Sequence, residues 1–476
     1  MSESRASVLI VNRGEIANRA ILACQQLGLK SILFCTPADQ ESVAFDLADQ
    51  IYQLENSEAS KSYLNLDCIQ DALKKTKPQY LYPGYGFHSE NHLLARLCED
   101  NGVGFVGPHS RVLQTLANKA GARELALQCN LFTLKLETPI PPAAFPVLMK
   151  ATSGGGGRGH QLVDRPEALA EAQANLQSRA ERLFGSAEVL FERYLPEARH
   201  VELQIFTDLS GHTHFLGTRD CTIQRNYQKL IEEGPAPSFW ADQFENWKTS
   251  ISHYLRDLGY RGPGTLEFLC DKASGKMYFL ELNCRIQVEH TVTEQLSGLD
   301  LVRWQLQEFT SPAHRQEPVQ LRGHALELRI YAEDVHAGFL PSTGQLGVLQ
   351  IPHLPQVRWD GTYKEGQAVT PHYDPLIGKL IVSDSDRQSC ITRALQAVNQ
   401  ISILGVQTNL HLLRTLLKDP AFLRNDHTTG TLDALLKTNW SEPPQQTARL
   451  MEGLQSLPQA GPLRPAVMNL WRRGEE

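Results

Sequence analysis

The sequence predicts a protein of mixed α/β and α+β class, in which an N-terminal doubly wound α/β unit precedes a larger body of hairpins and helices and a β-rich C-terminal part. Three observations predict it. The chain opens on a βαβ pattern: the apolar run SVLIVN (Ser7 to Asn12), a helical stretch from Glu15 to Leu27, and a second apolar run LKSILFC (Leu29 to Cys35). Its middle holds a strong hairpin signal, GTLEFLCDKASGKMYFLELN, in which two apolar runs flank a polar turn ending at Gly275. Its last third carries the β-rich stretches GQLGVL and PLIGKLIV, then helical patterns from about Arg387 to Gln400 and from Asn409 to Lys418.

Within the N-terminal unit, QYLYPGYGF ends a further strand near Tyr82, a helix follows from Asn91, and VGFVG supplies another short strand. The dinucleotide fingerprint GxGxxG is absent after the first strand, where NRGEIA stands instead, so a dinucleotide-binding reading loses its main support. Composition shifts divide the chain into residues 1–115, 116–330 and 331–445, followed by a Pro- and Gln-rich tail, 446–476, expected to be weakly ordered.

Composition excludes several function classes. With 41% hydrophobic and 21% charged residues among 476, the chain is neither disordered nor fibrous. A formal net charge of -7 argues against nucleic-acid or membrane-surface partners but permits a local basic pocket for a small anion. The nine cysteines form no CxxC pair, which points to thiols in a reducing compartment. The N-terminal apolar run is too short for a signal peptide, and no stretch approaches the roughly 20 apolar residues that span a bilayer. The expected location is the cytoplasm.

Chemistry concentrates in the middle of the chain. If the hairpin turn is Ala273 to Gly275, Glu267 faces Glu281 across the ladder, and two carboxylates directly opposed make sense when a divalent cation lies between them. Beyond the turn, Glu281, Asn283, Arg285, Gln287 and Glu289 alternate with Leu282, Cys284, Ile286 and Val288, so a continued strand would put all five polar groups on one face. Oxygen ligands suit Mg²⁺, Arg285 suits bidentate capture of a small carboxylate-like anion, and Glu289 suits a general base.

A second signal is VLMKATSGGGGRGH, where a strand end bearing Lys150 leads into Gly154, Gly155, Gly156 and Gly157, then Arg158. Consecutive glycines let backbone N–H groups approach phosphate oxygens, and the loop is not of the GxxxxGK[ST] kind. Lys119, His200, Gln224, Arg225 and Lys229 supply further polar and basic groups. In HALELRIYAED, Glu327 and Arg329 share the face opposite Leu326, Leu328 and Ile330, and an arginine buried there needs an anionic partner.

These motifs together (NRGEIA, YPGYGF followed by SEN, KATSGGGGRG, RHVELQ, RDCTIQRNYQK, EEGPAP, ELNCRIQVEH, VTEQLSGLDLV and PHYDPLIGKL) resemble the biotin carboxylases, members of the ATP-grasp enzymes, over roughly residues 7 to 435. The resemblance implies an ATP-grasp fold over 116–330, with a mobile glycine-rich lid at about 130–195, between the N-terminal domain and a biotin carboxylase C-terminal domain. It implies that Lys119, Lys150, the glycine loop, Glu192, His200 and Gln224 serve ATP. Glu267, Glu281 and Asn283 would hold Mg²⁺ or Mn²⁺. Arg285, Gln287 and Val288 would bind bicarbonate, Glu289 would deprotonate it, and Lys229 would stabilise the carboxyphosphate. Arg329 would steady the enolate form of biotin, with Tyr85 nearby.

The family's biotin rides on a lysine usually set in an MKM sequence, which does not occur here, so a separate biotin carrier protein and a carboxyltransferase subunit are expected as partners, with a homodimer as the assembly. The chain departs from the family's usual pattern at Tyr82, His88, His160, Tyr227 and Thr291, and between Lys119 and Lys150 it is shorter. Two rival functions follow: a related enzyme that carboxylates a different small molecule, and a homologue that binds ATP without turning it over. Retention of Glu289, Lys229 and Arg329 together speaks against the second.

Overall fold

The computed structural model describes residues 5–116, 119–151, 159–312 and 319–438. The tail expected to be weakly ordered, the side chain of Lys119, and the glycine loop with Gly155, Gly156, Gly157 and Arg158 lie outside the described residues. Among the described residues, no helix is long and apolar enough to cross a membrane.

The N-terminal unit is a parallel sheet of five strands, β1 (Ser7–Ile10), β2 (Lys30–Cys35), β3 (Gln50–Gln53), β4 (Tyr80–Tyr82) and β5 (Gly104–Phe105), in the order β3-β2-β1-β4-β5. β1 is buried along its whole length, as a central parallel strand with both faces covered must be. Helix α1 (Gly14–Gln26) follows β1 directly, and Gly14 takes φ +65, a left-handed conformation that turns the chain from strand to helix and sends Glu15 inward.

A small antiparallel sheet comes next, formed by β6 (Lys135–Leu136), β7 (Val147–Ala151), β8 (His160–Val163) and β9 (Val189–Arg193). It encloses its own apolar cluster of Val147, Met149, Val163, Leu176 and Phe191. The main body is an eight-stranded antiparallel sheet containing β10 (Ala198–Thr207), β11 (Thr213–Arg225), β12 (Gln228–Gly234), β13 (Gly262–Asp271), β14 (Lys276–Asn283) and β15 (His324–Tyr331). The order is β14-β13-β10-β11-β12-β15, continued by the strands Leu376–Asp384 and Val357–Gly361. One ladder therefore joins the central and C-terminal parts of the sequence, so side chains from both reach a common face.

Glu267 does pair with Glu281, by a different route from the one the turn predicts. Asp271 pairs with Lys276, which makes the turn one residue longer than expected, and Leu280 is an extra residue between Phe279 and Glu281 that restores the register. The period-two strand expected to run to Glu289 stops at Asn283. Cys284 N donates to Glu90 Oε1 at 2.8 Å, and that side chain, from the N-terminal unit, replaces the next rung of the ladder. Arg285, Gln287 and Glu289 therefore lie on a loop, and Glu289 is the residue before the helix His290–Ser297.

Candidate active site

The site lies on one face of the main sheet, where β10, β12, β13, β14 and β15 bring charged residues together. At its centre is Lys229 of β12, one residue pair from the β11–β12 turn. Its ammonium bonds Glu202 of β10, lies 2.5 Å from Glu289 Oε1 and 3.5 Å from Glu267 Oε1. Burial alone would lower the lysine pKa, and these carboxylates outweigh it and hold the group well above its ordinary value.

Glu289, only 2% exposed, carries its second oxygen 3.0 Å from Arg329 Nη2. Burial opposes ionisation, but Lys229, Arg329 and Arg219 override it and keep this carboxyl well below the usual range. Arg329 on β15 has the anionic partners its burial requires: Glu289, Glu232 beside it on β12, and Glu327 at 3.7 Å.

The loop after β14 is held from several sides. Arg285 Nε donates to Glu90 Oε2 at 3.0 Å and its Nη2 to Asn283 Oδ1 at 3.0 Å. Gln287 donates from Nε2 to Glu267 Oε1 at 2.7 Å and accepts from Arg219 Nη2 at 2.9 Å. Arg219, wholly buried, also grips Glu202 at 2.8 Å and Thr293 at 2.8 Å, so it ties β11 to the helix that follows Glu289.

On the other side of Lys229, His200 lies 3.1 Å from Glu267 Oε2, and its Nδ1 is 3.3 Å from Gln224 Nε2. Burial would depress the imidazole, and Glu267 raises it past that effect to above its ordinary value. Glu281 is exposed at its surface yet set among protein atoms on most sides. That partial desolvation, with repulsion from Glu267 and Glu90, pushes its carboxyl up to about 6. A divalent cation would relieve such a repulsion, and Glu267, Glu281 and Asn283 offer the hard oxygen donors that Mg²⁺ prefers. Lys150 of β7 and Glu192 of β9 form an ion pair at 2.5 Å on neighbouring strands of the small sheet.

The structure thus brings together Glu267, Asn283, Arg285, Gln287, Glu289, Lys229, His200, Gln224 and Arg329, while Lys150 and Glu192 sit together on the small sheet. Tyr85 donates its hydroxyl proton to Glu15, whose oxygen also faces Lys379. Val288 presents its carbonyl to Lys379 Nζ at 2.6 Å. Tyr82 is fully buried, within the core around α1, and Tyr227 is half-exposed with its ring edge-on to His160 at 4.8 Å.

Sequence reasoning missed Glu15, Glu90, Glu202, Arg219, Glu232 and Lys379. Glu202 carries a legible signal, since it alternates with His200 on a strand and must share its face. Glu232 stands opposite Glu327 across β12 and β15, a second facing pair of carboxylates.

Burial first, with repulsion from Glu327 and Glu289 added, pushes Glu232 up to about 8 against the pull of Arg329. Burial, with repulsion from Glu289 added, pushes Glu327 up to about 7 against the pull of Lys379 and Arg329. A carboxyl whose folded pKa is raised stabilises the fold at low pH, and that contribution is lost as pH rises through the folded value. Replacing Glu327 with Gln is therefore expected to flatten the loss of stability between its ordinary value of 4.5 and its folded value of about 7. Melting temperatures of the two proteins should diverge by on the order of 2 °C towards the alkaline end, in favour of the variant. Parallel curves would show that Glu327 is ionised throughout.

Three family models match the chain in order: the biotin carboxylase N-terminal domain over residues 4–113, the carbamoyl-phosphate synthase L chain ATP-binding domain over 140–308, and the biotin carboxylase C-terminal domain over 327–434. The chain is 36% identical to a biotin carboxylase of Haemophilus influenzae over 91% of its own length and 99% of that protein. It is also 36% identical to the mitochondrial methylcrotonoyl-CoA carboxylase subunit alpha of Dictyostelium discoideum, of which it spans 62%. Among solved structures, the biotin carboxylase domain dimer of Hydrogenobacter thermophilus 2-oxoglutarate carboxylase, held with MgADP, ADP and bicarbonate, superposes with a TM-score of 0.86. Sequence identity is 33%, with 92% of this chain and all of that one covered.

Proposed function

Since the chain belongs to the biotin carboxylase family, we propose that it activates bicarbonate with ATP and carboxylates biotin on a separate carrier protein, from which a carboxyltransferase subunit takes the carboxyl group. The observation that carries this reading is the convergence of Lys229 and Arg329 on Glu289 from two different strands. A buried carboxylate gripped by two cations is an acid–base group set between two anion-binding groups, which is what successive handling of bicarbonate, carboxyphosphate and an enolate requires.

In this reading Lys119, Lys150, the glycine loop, Glu192, His200 and Gln224 hold the nucleotide. Glu267, Glu281 and Asn283 would hold Mg²⁺ or Mn²⁺, which would neutralise charge on the phosphates. Arg285, Gln287 and Val288 place bicarbonate beside Glu289, which removes its proton. The freed oxygen attacks the γ-phosphorus, the bond to the β-phosphate oxygen breaks, and ADP leaves. Lys229 holds the carboxyphosphate as it splits into CO₂ and phosphate. Arg329, with Tyr85 beside it, would stabilise the negative oxygen of the biotin ureido group when its nitrogen gives its proton to the released phosphate and attacks CO₂.

The resting ion pairs support a control of the base. While Lys229 and Arg329 face Glu289, they hold its carboxyl below the ordinary carboxylate range and weaken it as a base. When they turn to an anionic substrate, the carboxyl recovers basicity at the moment it is needed. The dimeric relative supports a homodimer here.

The test is bicarbonate-dependent ADP release, followed by incubation with ATP, labelled bicarbonate and a biotinylated carrier. Label on the carrier is expected. Label confined to a small molecule would keep the carboxyphosphate chemistry and reject biotin as the acceptor.

A further inference from the structure

NRGEIA and PHYDPLIGKL, far apart in the sequence, each contribute one fully buried charged residue to a place outside the machinery described above. Glu15, 1% exposed, lies in the first turn of α1, and Lys379, 0% exposed, lies on the strand Leu376–Asp384. Their charged atoms are 3.0 Å apart. Lys379 also stands directly opposite Arg329 in the sheet, so it shares that residue's face.

The ammonium of Lys379 has three partners. It meets Glu15 Oε1, lies 3.8 Å from Glu327 Oε2, and donates to the Val288 carbonyl at 2.6 Å. The Val288 carbonyl belongs to the peptide unit that leads into Glu289, so its direction and the base's backbone turn together. Oxygen Oε1 of Glu15 also accepts from the Tyr85 hydroxyl. A single carboxylate oxygen thus joins the tyrosine beside the acceptor region to the lysine behind the base.

Burying an ion pair is costly, and replacing one with packed apolar side chains is often neutral or favourable. Stability alone therefore does not account for a lysine with no exposed surface aimed at a backbone carbonyl one residue from Glu289. We propose that Glu15 and Lys379 form a positioning pair, which fixes the Val288–Glu289 peptide and the Tyr85 hydroxyl in one arrangement and so couples the N- and C-terminal parts of the chain to the base. The inference rests on Glu289 acting as that base.

Lys379→Met removes the donor to Val288 and frees the loop to swing. Displacement of a catalytic group by about 1 Å costs on the order of 100-fold. Accordingly, kcat for bicarbonate-dependent ATP cleavage should fall by about 10- to 100-fold, with KM for ATP within about twofold of wild type. As Glu289 drifts from Lys229 and Arg329 its proton is held more tightly, so the acid limb of the pH profile should move to higher pH. Glu15→Gln keeps the side-chain shape and leaves Lys379 its bond to Val288, and should give a smaller shift in the same direction. If Lys379→Met does not fold, Glu15→Gln reads the same quantities. Wild-type kcat in the folded variants, or a lower kcat with an unmoved acid limb, would overturn the proposal and leave the pair a structural one. Absence of bicarbonate-dependent cleavage in the wild-type enzyme would instead reject the family mechanism.

Discussion

A Glu289→Gln enzyme is expected to bind ATP normally and to lose bicarbonate-dependent ATP cleavage by roughly 1,000-fold, within the range that loss of a positioned general base produces. Glutamine fills the same space and still accepts one hydrogen bond, so the loop after β14 keeps its other anchors, Arg285 to Glu90 and Gln287 to Glu267. What it lacks is a site for the proton. Lys229 and Arg329 do not lose all their partners either, because Glu202 remains beside the first and Glu232 beside the second. The residues proposed for the nucleotide pair among themselves, Lys150 with Glu192 and His200 with Gln224. ADP release measured with and without bicarbonate, alongside equilibrium nucleotide binding, separates the two effects. Turnover near that of the wild type would end the assignment of Glu289 as the base.

The facing carboxylates show what a sequence makes legible. Glu267 and Glu281 lie on strands joined by one short turn, so their pairing follows from local geometry, and it survives a longer turn because the extra residue Leu280 compensates. Glu232 and Glu327 form the same arrangement on β12 and β15, but the intervening chain builds two other strands and several helices before it returns. No local rule links such strands, so their register stays hidden until the sheet is assembled. The early end of β14 has the same origin. Alternation of polar and apolar residues continues to Glu289, and only Glu90, brought in from the N-terminal unit, shows why the ladder stops at Asn283. By contrast, the helix Arg387–Gln400 stands where its pattern predicts, since its start is fixed locally by Asp386 accepting from Ser389 N.

Replacing Lys229 with Met should be nearly as damaging as the loss of the base, and for a different reason. The ammonium is the common countercharge of Glu202, Glu267 and Glu289. Without it the site faces bicarbonate and the triphosphate with uncompensated negative charge, and the carboxyphosphate loses a preorganised cation; loss of such a group costs about 100- to 1,000-fold in kcat. The pH response distinguishes this from simple disruption. In the wild-type protein Glu289 is held well below the ordinary carboxylate range, with Lys229 the largest of the attractive influences, so the base is ionised across the neutral range. In Lys229→Met that influence is gone while burial remains, and the carboxyl pKa rises. Residual activity should therefore climb with pH through a range where wild-type activity is flat. Lys229→Arg, which keeps the charge on a longer planar fork, should restore the flat profile while recovering only part of the rate, because three carboxylates set around a compact ammonium do not fit a guanidinium equally well. A Lys229→Met profile parallel to that of the wild type would show that Glu289 is not set by this lysine, and the ion-pair control of the base would have to be abandoned.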